Sequence, residues 1–328
     1  MTFRRASGAA FTLLLALLGL SCSHYSYVAN GNARPSANRD TEIGLFKYER
    51  RHVDVSMEFK EETNRYSMYL VKFNIRDFPE ITNRFAKTYY FVQKTAGKSP
   101  CIVVLPPTGG GMELVEMFAK YFAQRGFTAI GFYRREMFFN PKQDLEYNKN
   151  LFRQSVIDVR RAIDFLQGQP GVDPDKIGIM GASLGGIISA LAMEADKRLQ
   201  AMVTMVAAGD LPMILDRSNY SRIYRFRRSL MERYHLQRED IYRFGRKGLT
   251  DIDPLAYAER IDPSRVLMIN GSLDTIVPLA AARETWEAFG RPEWRILPVS
   301  HYTSMLMIEY AQHISLVHFR RVMNVPEN

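Results

Sequence analysis

A serine between two glycines, placed where an apolar run meets a helix-forming run, restricts the fold of this chain more than any other feature. Residues 177–186 read IGIMGASLGG, so Ser183 stands between Gly181 and Gly185 in a G-x-S-x-G pattern. This pattern is typical of a nucleophile elbow, a tight strand-to-helix turn that exposes a serine hydroxyl at the edge of a sheet. Side chains at the two glycine positions would clash with the neighbouring strand and helix. Because a serine hydroxyl needs a base and an orienting carboxylate, the turn predicts both partners elsewhere in the chain.

Apolar runs and helical patterns alternate through most of the chain after residue 101. This alternation indicates an α/β fold with a doubly wound, mostly parallel sheet. Residues 65–94 come before it and are rich in aromatic and β-branched residues, which favours further strands. The predicted strands comprise residues 102–105, 128–132, 177–180, 201–206 and 266–269. The predicted helices comprise residues 114–125, 151–166, 184–193, 279–289 and 304–323.

Two polar residues downstream of Ser183 are the candidate acid and base. Asp274 follows the apolar run 266–269 and a glycine turn, and His301 follows the next short strand end. The carboxyl ends of parallel strands meet at one edge of a sheet, so we expect both side chains beside the serine. The chain order serine, acid, histidine is the order of strand-turn-helix hydrolases. Asp210 follows the preceding predicted strand and stays open as the alternative acid.

Taken together, these motifs resemble the α/β-hydrolase superfamily, in particular its dienelactone hydrolase, acetyl-xylan-esterase-like and prolyl-oligopeptidase-like branch. The resemblance covers roughly residues 85–320, whereas residues 23–65 match nothing we can name. It implies an α/β-hydrolase fold in which Ser183 is the nucleophile, Asp274 the acid and His301 the base. It rests on the segment 172–177 leading into the elbow, Asp253-Pro254, the turn 270–278 and His301.

The resemblance implies a serine hydrolase that cleaves a carboxylic ester, or a related acyl bond, through an acyl-enzyme. The alternatives are an exopeptidase or acyltransferase on the same fold, or a non-catalytic envelope lipoprotein. An oxyanion hole requires two backbone N–H donors, and Leu184 directly after the nucleophile is expected to supply one. The loop after the first core strand reads PPTGGG, and proline has no N–H to donate. Thr108 and Gly109 are therefore both candidates for the second donor, and the choice between them stays open.

We assign the hydrolase domain to residues 42–328. Within it, residues 211–252 break the alternation of strands and helices, and we expect them to form an inserted helical lid. The segment is rich in arginine and aromatic residues and has an amphipathic pattern. One interpretation is a solvated basic surface. The other is a lid that binds an acidic substrate or an anionic membrane.

The N-terminus has the pattern of a bacterial lipoprotein signal. Arg4 and Arg5 precede the apolar run 11–20, which is too short to span a bilayer comfortably and leads into Cys22. This resemblance implies cleavage after residue 21 and lipid attachment to the Cys22 thiol. Lipoproteins with serine rather than aspartate after the lipidated cysteine resemble those sorted to the outer membrane, so Ser23 favours that location if the host has two membranes. Residues 22–41 are polar and are expected to be a flexible tether, which predicts an enzyme anchored to the cell envelope.

The composition of the chain limits the classes of partner that we expect it to bind. With 46% hydrophobic and 24% charged residues it is ordinary for a globular protein, and its net charge of +9 accompanies no nucleic-acid-binding module. We therefore expect a small-molecule, glycan or lipid ester as substrate, a membrane contact through the lipid, and a monomer. Cys101 opens an apolar run and is expected to be buried rather than paired. No metal-ligand spacing or P-loop occurs, so no metal or cofactor is expected.

Overall fold

A computed structural model describes residues 26–27, 41–50, 53–108 and 112–327, and its strands form one ten-stranded sheet. The strand order is β1-β10-β9-β8-β7-β5-β6-β4-β3-β2. Neighbours from β10 to β6 are parallel, whereas β4, β3 and β2 extend one edge antiparallel and β1 pairs antiparallel at the other. The strands are β1 (Ser26–Tyr27), β2 (Asp54–Glu62), β3 (Tyr66–Asn74), β4 (Phe85–Gln93), β5 (Ser99–Leu105), β6 (Thr128–Phe132), β7 (Val172–Ala182), β8 (Leu199–Met205), β9 (Val266–Gly271) and β10 (Glu293–Leu297).

Eight α-helices lie in the described residues, and all five predicted helices are among them. The predicted helix 304–323 is shorter than expected, because its first turn is a separate 3-10 helix, Thr303–Met307, with the tighter hydrogen bonding common at helix ends. The helices are α1 (Met112–Ala123), α2 (Leu145–Gln167), α3 (Leu184–Ala195), α4 (Leu211–Arg217), α5 (Ser221–Tyr234), α6 (Ile241–Leu249), α7 (Leu279–Ala288) and α8 (Ile308–Val322).

Helices cover both faces of the sheet, so the central strands are buried on both sides. Along β5, Cys101, Val103 and Leu105 belong to one hydrophobic cluster, whereas Ile102 and Val104 belong to the other. Side chains alternate between the faces of a strand, which explains this division. Helices α2, α3 and α7 contribute to the first cluster and α1 and α8 to the second. The predicted doubly wound α/β architecture is therefore confirmed.

One central strand and the region before residue 65 differ from the sequence prediction. Strand β7 begins at Val172, ahead of the predicted start at residue 177, and β2 lies in the segment that resembled nothing. Residues 41–50 pack onto the domain: Phe46 is fully buried, and its carbonyl oxygen accepts a hydrogen bond from Arg160 Nη1 at 2.6 Å.

The predicted signal peptide, the lipidated Cys22 and most of the tether lie outside the described residues. Within the described ranges, no helix combines the length and the apolar character required to cross a bilayer.

Candidate active site

The turn at Ser183 has the geometry that the G-x-S-x-G pattern predicts. Strand β7 ends at Ala182 and α3 begins at Leu184, while Ser183 itself has φ 54° and ψ −120°. A positive φ is unusual for a residue with a side chain and marks backbone strain at the turn. A Cβ on Gly181 would lie 2.2 Å from the Gly185 carbonyl carbon, and a Cβ on Gly185 would lie 2.5 Å from the Leu105 carbonyl oxygen. These short distances leave no room for a side chain, which explains why both positions are glycine.

The structure brings Ser183, His301 and Asp274 together. His301 Nε2 lies 3.1 Å from Ser183 Oγ, and His301 Nδ1 lies 2.7 Å from Asp274 Oδ2. A carboxylate only accepts hydrogen bonds, so Nδ1 carries the proton and Nε2 is left to accept the serine proton. The Asp274 side chain is 2% exposed and that of His301 is 13% exposed, so water reaches the imidazole at its edge only.

Backbone hydrogen bonds position the two loops that carry the acid and the base. Asp274 Oδ1 accepts hydrogen bonds from the N–H groups of Ile276 and Val277 at 2.8 and 2.9 Å, which leaves Oδ2 for the histidine. The loop after β9 is tied to the loop after β10, because Leu273 N donates to Val299 O at 3.1 Å. This pairing brings the Asp274 loop beside the loop of His301.

One supporting residue, Asn270, was assigned no role of its own in the sequence prediction. Asn270, on β9, donates from Nδ2 to Ala207 O and accepts from Trp294 Nε1, both at 3.0 Å. Its side chain therefore connects β9 to the start of β10 and to the segment that follows β8. A polar residue at the end of an apolar strand was the available signal, but only the fold shows which partners it reaches.

Asp210, the alternative acid, has a different position and different contacts. It is buried, accepts a hydrogen bond from Met213 N at 3.1 Å and so caps α4. Its own N–H donates to Asp253 Oδ1 at 3.1 Å. Burial raises the pKa of Asp253 to about 6. Of the two candidate acids, Asp274 is the one that accepts a hydrogen bond from His301.

The candidate oxyanion donors differ in how much of them the structure describes. Leu184 is the first residue of α3, and an N–H in the first turn of a helix has no intrahelical acceptor. It is therefore available to a ligand beside Ser183. Thr108 is buried and lines the same cavity as the serine, whereas Gly109 lies outside the described residues.

An apolar cavity of about 430 Å³ opens beside Ser183 and His301. Its walls are mostly Leu, Ile, Val, Phe and Met side chains, and no Asp or Glu of the described residues lines it. The predicted insertion, which we call the cap segment (residues 211–252), contains α4, α5 and α6 and forms one wall. The cap segment contributes Leu211, Ile214, Leu215, Tyr220, Ile223 and Leu249.

Most cationic side chains of the cap segment are engaged within the protein. Arg227 is buried and donates to the carbonyl oxygens of Leu215, Asp216 and Ser218. Arg238 pairs with Asp216. The basic pattern of the segment therefore includes cations that hold the cap itself together.

The sequence prediction overlooked Arg134, which follows β6 at the carboxyl edge of the sheet. Its guanidinium donates to the Thr108 carbonyl oxygen, as does Arg222 of the cap segment at 3.3 Å. The rule that located Asp274, a polar residue directly after a buried strand, also applies to Arg134. Of the other histidines considered, His318 is buried on α8 and His313 is exposed. Among the residues described, no three His, Cys, Asp or Glu side chains are grouped so as to hold a metal ion.

Comparison with solved structures shows the same fold in enzymes of known structure. Acetyl xylan esterase 1 from Thermoanaerobacterium sp. JW/SL YS485 aligns with a TM-score of 0.60 at 18% identity, over 80% of this chain and 89% of that chain. Pyrococcus horikoshii acylaminoacyl peptidase aligns with a TM-score of 0.58 at 16% identity, over 81% of this chain and 43% of that chain. At such identities the likeness shows the α/β-hydrolase fold alone.

Sequence comparison identifies the family of this chain but not its activity. Polyketide transferase ATR5 of Stachybotrys chlorohalonatus (strain IBT 40285) is 31% identical over 110 residues, which cover 32% of this chain and 35% of that protein. The chain thus spans about a third of the length of that curated relative. The model of the prolyl oligopeptidase family matches residues 144–313, more than half of the 328 residues. The chain has the α/β-hydrolase fold and belongs to the prolyl oligopeptidase family.

Proposed function

We propose that this protein hydrolyses carboxylic esters that have an apolar acyl group, with Ser183 as nucleophile, His301 as base and Asp274 as orienting acid. One observation carries the proposal: a continuous hydrogen-bonded path from Asp274 through His301 to Ser183 ends at an apolar cavity. The hydroxyl, the base and a binding site for the acyl chain therefore lie together.

In the first half of the reaction, Ser183 Oγ attacks the ester carbonyl while His301 Nε2 takes the hydroxyl proton. The imidazolium that forms is stabilised by Asp274 Oδ2, which lies 2.7 Å from Nδ1. The Leu184 N–H, together with an N–H of Thr108 or Gly109, stabilises the oxyanion. His301 then protonates the departing alcohol, and the acyl group remains on Ser183.

In the second half, water replaces the alcohol. His301 Nε2 takes a proton from the water, whose oxygen attacks the acyl-enzyme carbonyl. Collapse of this second tetrahedral intermediate returns the proton to Ser183 Oγ and releases the acid. The partial exposure of His301 gives water access to this position.

The cavity favours an ester with an apolar acyl group over a peptide bound by its N-terminus. An exopeptidase that binds a free α-ammonium group needs carboxylates near the scissile bond, because a buried cation must be paired. In the described part of the cavity wall no carboxylate is present. Its apolar walls and volume of about 430 Å³ suit an acyl chain or a ring.

Covalent labelling with a fluorophosphonate tests the nucleophile. We expect the wild-type protein to be labelled and Ser183→Ala to lose the label. Ser304→Ala is the matched control, because Ser304 lines the same cavity but donates to the His301 carbonyl oxygen rather than to its ring. Turnover of p-nitrophenyl esters of increasing chain length then tests the acyl pocket. Undiminished labelling of Ser183→Ala would show that another residue is the nucleophile and contradicts the proposal. Absence of both labelling and ester turnover in the wild type also contradicts it and favours a non-catalytic lipoprotein.

Acyl transfer to an alcohol is the second candidate, because one relative is named a polyketide transferase. It uses the same acyl-enzyme and differs only in the acceptor. Adding a series of alcohols during turnover and measuring the ratio of new ester to free acid separates the two reactions. If the ratio of new ester to free acid depends only on the concentration and reactivity of the alcohol, the protein is a hydrolase. A marked preference for one alcohol indicates a transferase.

We further propose that the protein is exported and anchored to the envelope membrane through a lipid on Cys22, with residues 22–41 as tether. The basic residues, the apolar run and the cysteine that follows support this proposal. Radiolabelled palmitate should be incorporated into the wild-type protein and into Cys101→Ala, but not into Cys22→Ser. Cys101 is the control because it is a buried thiol of β5. Incorporation into Cys22→Ser contradicts the anchor.

A further inference from the structure

Two arginines meet at the loop that carries a candidate oxyanion donor. Arg134 follows β6, and Arg222 lies in α5 of the cap segment. Both guanidinium groups donate a hydrogen bond to the carbonyl oxygen of Thr108, Arg222 at 3.3 Å. The pair therefore connects the body of the domain to the cap segment next to the cavity.

Neither member of this arginine pair has a carboxylate partner within the part of the chain that the structure describes. The next residue provides a contrast, since Arg135 forms two hydrogen bonds of 2.8 Å to the buried carboxylate of Asp158. Burial lowers the pKa of Arg134, and the positive charge of Arg222 lowers it further. Both side chains are partly buried, and two like charges placed side by side repel each other unless an anion joins them.

Both arginines have more N–H donors than the bond to Thr108 uses. A guanidinium carries five N–H donors in a fork, and Thr108 O accepts one from each arginine. The guanidinium of Arg222 lies over the ring of Tyr220, 5.9 Å from its centroid. Thr108 and Tyr220 both line the cavity, so the arginine pair contacts residues of its wall.

We propose that Arg134 and Arg222 bind an anionic oxygen group of the substrate, a carboxylate, sulfate or phosphate, beside the ester that Ser183 attacks. This inference rests on the function proposed above and narrows its substrate class. The substrate is an ester that carries an apolar acyl group for the cavity and an anion for the arginine pair. A planar guanidinium fork matches the geometry of such oxygens, and desolvation strengthens the contact.

The alternative is that the arginines only position the Thr108 loop. In that case their loss would slow hydrolysis of neutral and anionic esters alike. Binding of an anion predicts instead a loss that depends on the charge of the substrate. The ratio of kcat/KM for an anionic ester to that for its neutral analogue therefore separates the two roles.

The test uses two matched pairs of esters, which place the charge on either side of the scissile bond. On the acyl side, p-nitrophenyl hydrogen glutarate is compared with p-nitrophenyl methyl glutarate. On the alcohol side, para-acetoxybenzoate is compared with its methyl ester. The proteins are the wild type, Arg134→Gln, Arg222→Gln, the double variant and Arg225→Gln. Arg225 is the control because it lies on the same helix, is exposed and donates to Ser221 O rather than to Thr108.

We expect the wild type to prefer the anionic ester by roughly tenfold in at least one pair, as is typical of a charge-assisted contact. The preference should fall in each single variant, vanish in the double variant and persist in Arg225→Gln. It should also weaken as salt is added. If the wild type hydrolyses both members of both pairs at equal rates, the inference about the anion is contradicted but the proposed esterase activity is not. Equal losses on neutral and anionic esters in the variants also overturn the inference, and loss of all Ser183-dependent turnover contradicts the proposed function instead.

Discussion

The triad edge of the sheet and the cap segment are held together by different interactions. At the sheet edge, Ser183, Asp274 and His301 follow buried strands, and backbone hydrogen bonds and close glycine contacts fix their loops. In the cap segment, arginines hold helix ends by reaching carbonyl oxygens, and other cations are open to water, such as Arg243, whose side chain is 75% exposed. Backbone contacts between strands tolerate little displacement, whereas long side chains on a surface helix can rearrange. The proposed chemistry therefore lies on the more rigid part of the molecule, and the proposed recognition of the substrate lies partly on the more adaptable cap segment.

The same contrast applies to how each region tolerates substitution. A change at the sheet edge alters either the reaction or the packing of backbone against backbone. A change in the cap segment alters contacts that water can partly replace. The following predictions test this contrast, beginning with the largest effect.

Replacing the base should have the largest effect. We expect His301→Ala to lower kcat by about 10⁴-fold or more, because the proton of Ser183 then has no acceptor. The side chain lies at the edge of the fold, so the urea midpoint of unfolding should remain close to that of the wild type. Ester hydrolysis and urea denaturation measure the two quantities. A variant with rates near those of the wild type would show that another group is the base.

Crowding the elbow should affect stability more than any change in the cap segment. In Gly185→Ala the new methyl carbon would lie 2.5 Å from the Leu105 carbonyl oxygen, and neither backbone can move freely. We expect the free energy of unfolding to fall by about 3 kcal/mol, as for an overpacked core. Gly97→Ala is the control, because nothing lies within 4 Å of a Cβ at Gly97. Equal urea midpoints for the two variants would contradict the close packing of the elbow.

The body of the domain should also respond to pH through His318. Burial lowers the pKa of His318 to about 4, from 6.5 for a free histidine. The unfolded chain therefore binds a proton between these values where the folded protein does not, and acid destabilises the fold. Between pH 7 and pH 4 this group should remove on the order of 3 kcal/mol of stability.

His318→Gln isolates this contribution, because glutamine does not titrate and can still donate to Arg265 O, which His318 Nε2 reaches at 3.2 Å. Urea unfolding at several pH values should show a shallower decline for the variant than for the wild type below pH 6.5. Identical pH profiles would place the His318 pKa near its ordinary value.

A contact within the cap segment should affect stability less than crowding of the elbow or protonation of His318. Arg227→Met removes the donor that reaches three carbonyl oxygens at the end of α4, at 3.1, 2.5 and 3.3 Å. We expect a loss of about 2 kcal/mol and a raised KM, because α4 forms part of the cavity wall. Arg228→Met should change stability by less than about 0.5 kcal/mol, since Arg228 is exposed and pairs with Glu232 on the surface of the same helix. Equal effects of the two variants would show that the cap segment does not depend on Arg227.

Much of this architecture follows from patterns that are local in the chain. Strand β6 spans the predicted residues 128–132, and α3 begins at Leu184 as predicted. These elements could be predicted because apolar runs, glycine turns and helical periods act over a few residues. The three triad residues could be proposed for the same reason, since each follows a buried strand.

The sequence by itself determined the strand–turn–helix around Ser183, the alternating fold and the order of the candidate acid and base. Only the tertiary structure decided which aspartate contacts the histidine, because Asp210 and Asp274 both follow buried strands and only the loop of Asp274 reaches His301. It also decided that Arg222 meets Arg134 at Thr108, whereas Arg238 pairs with Asp216. Such partners are far apart in the chain, and a local pattern specifies the type of a side chain but not what it contacts.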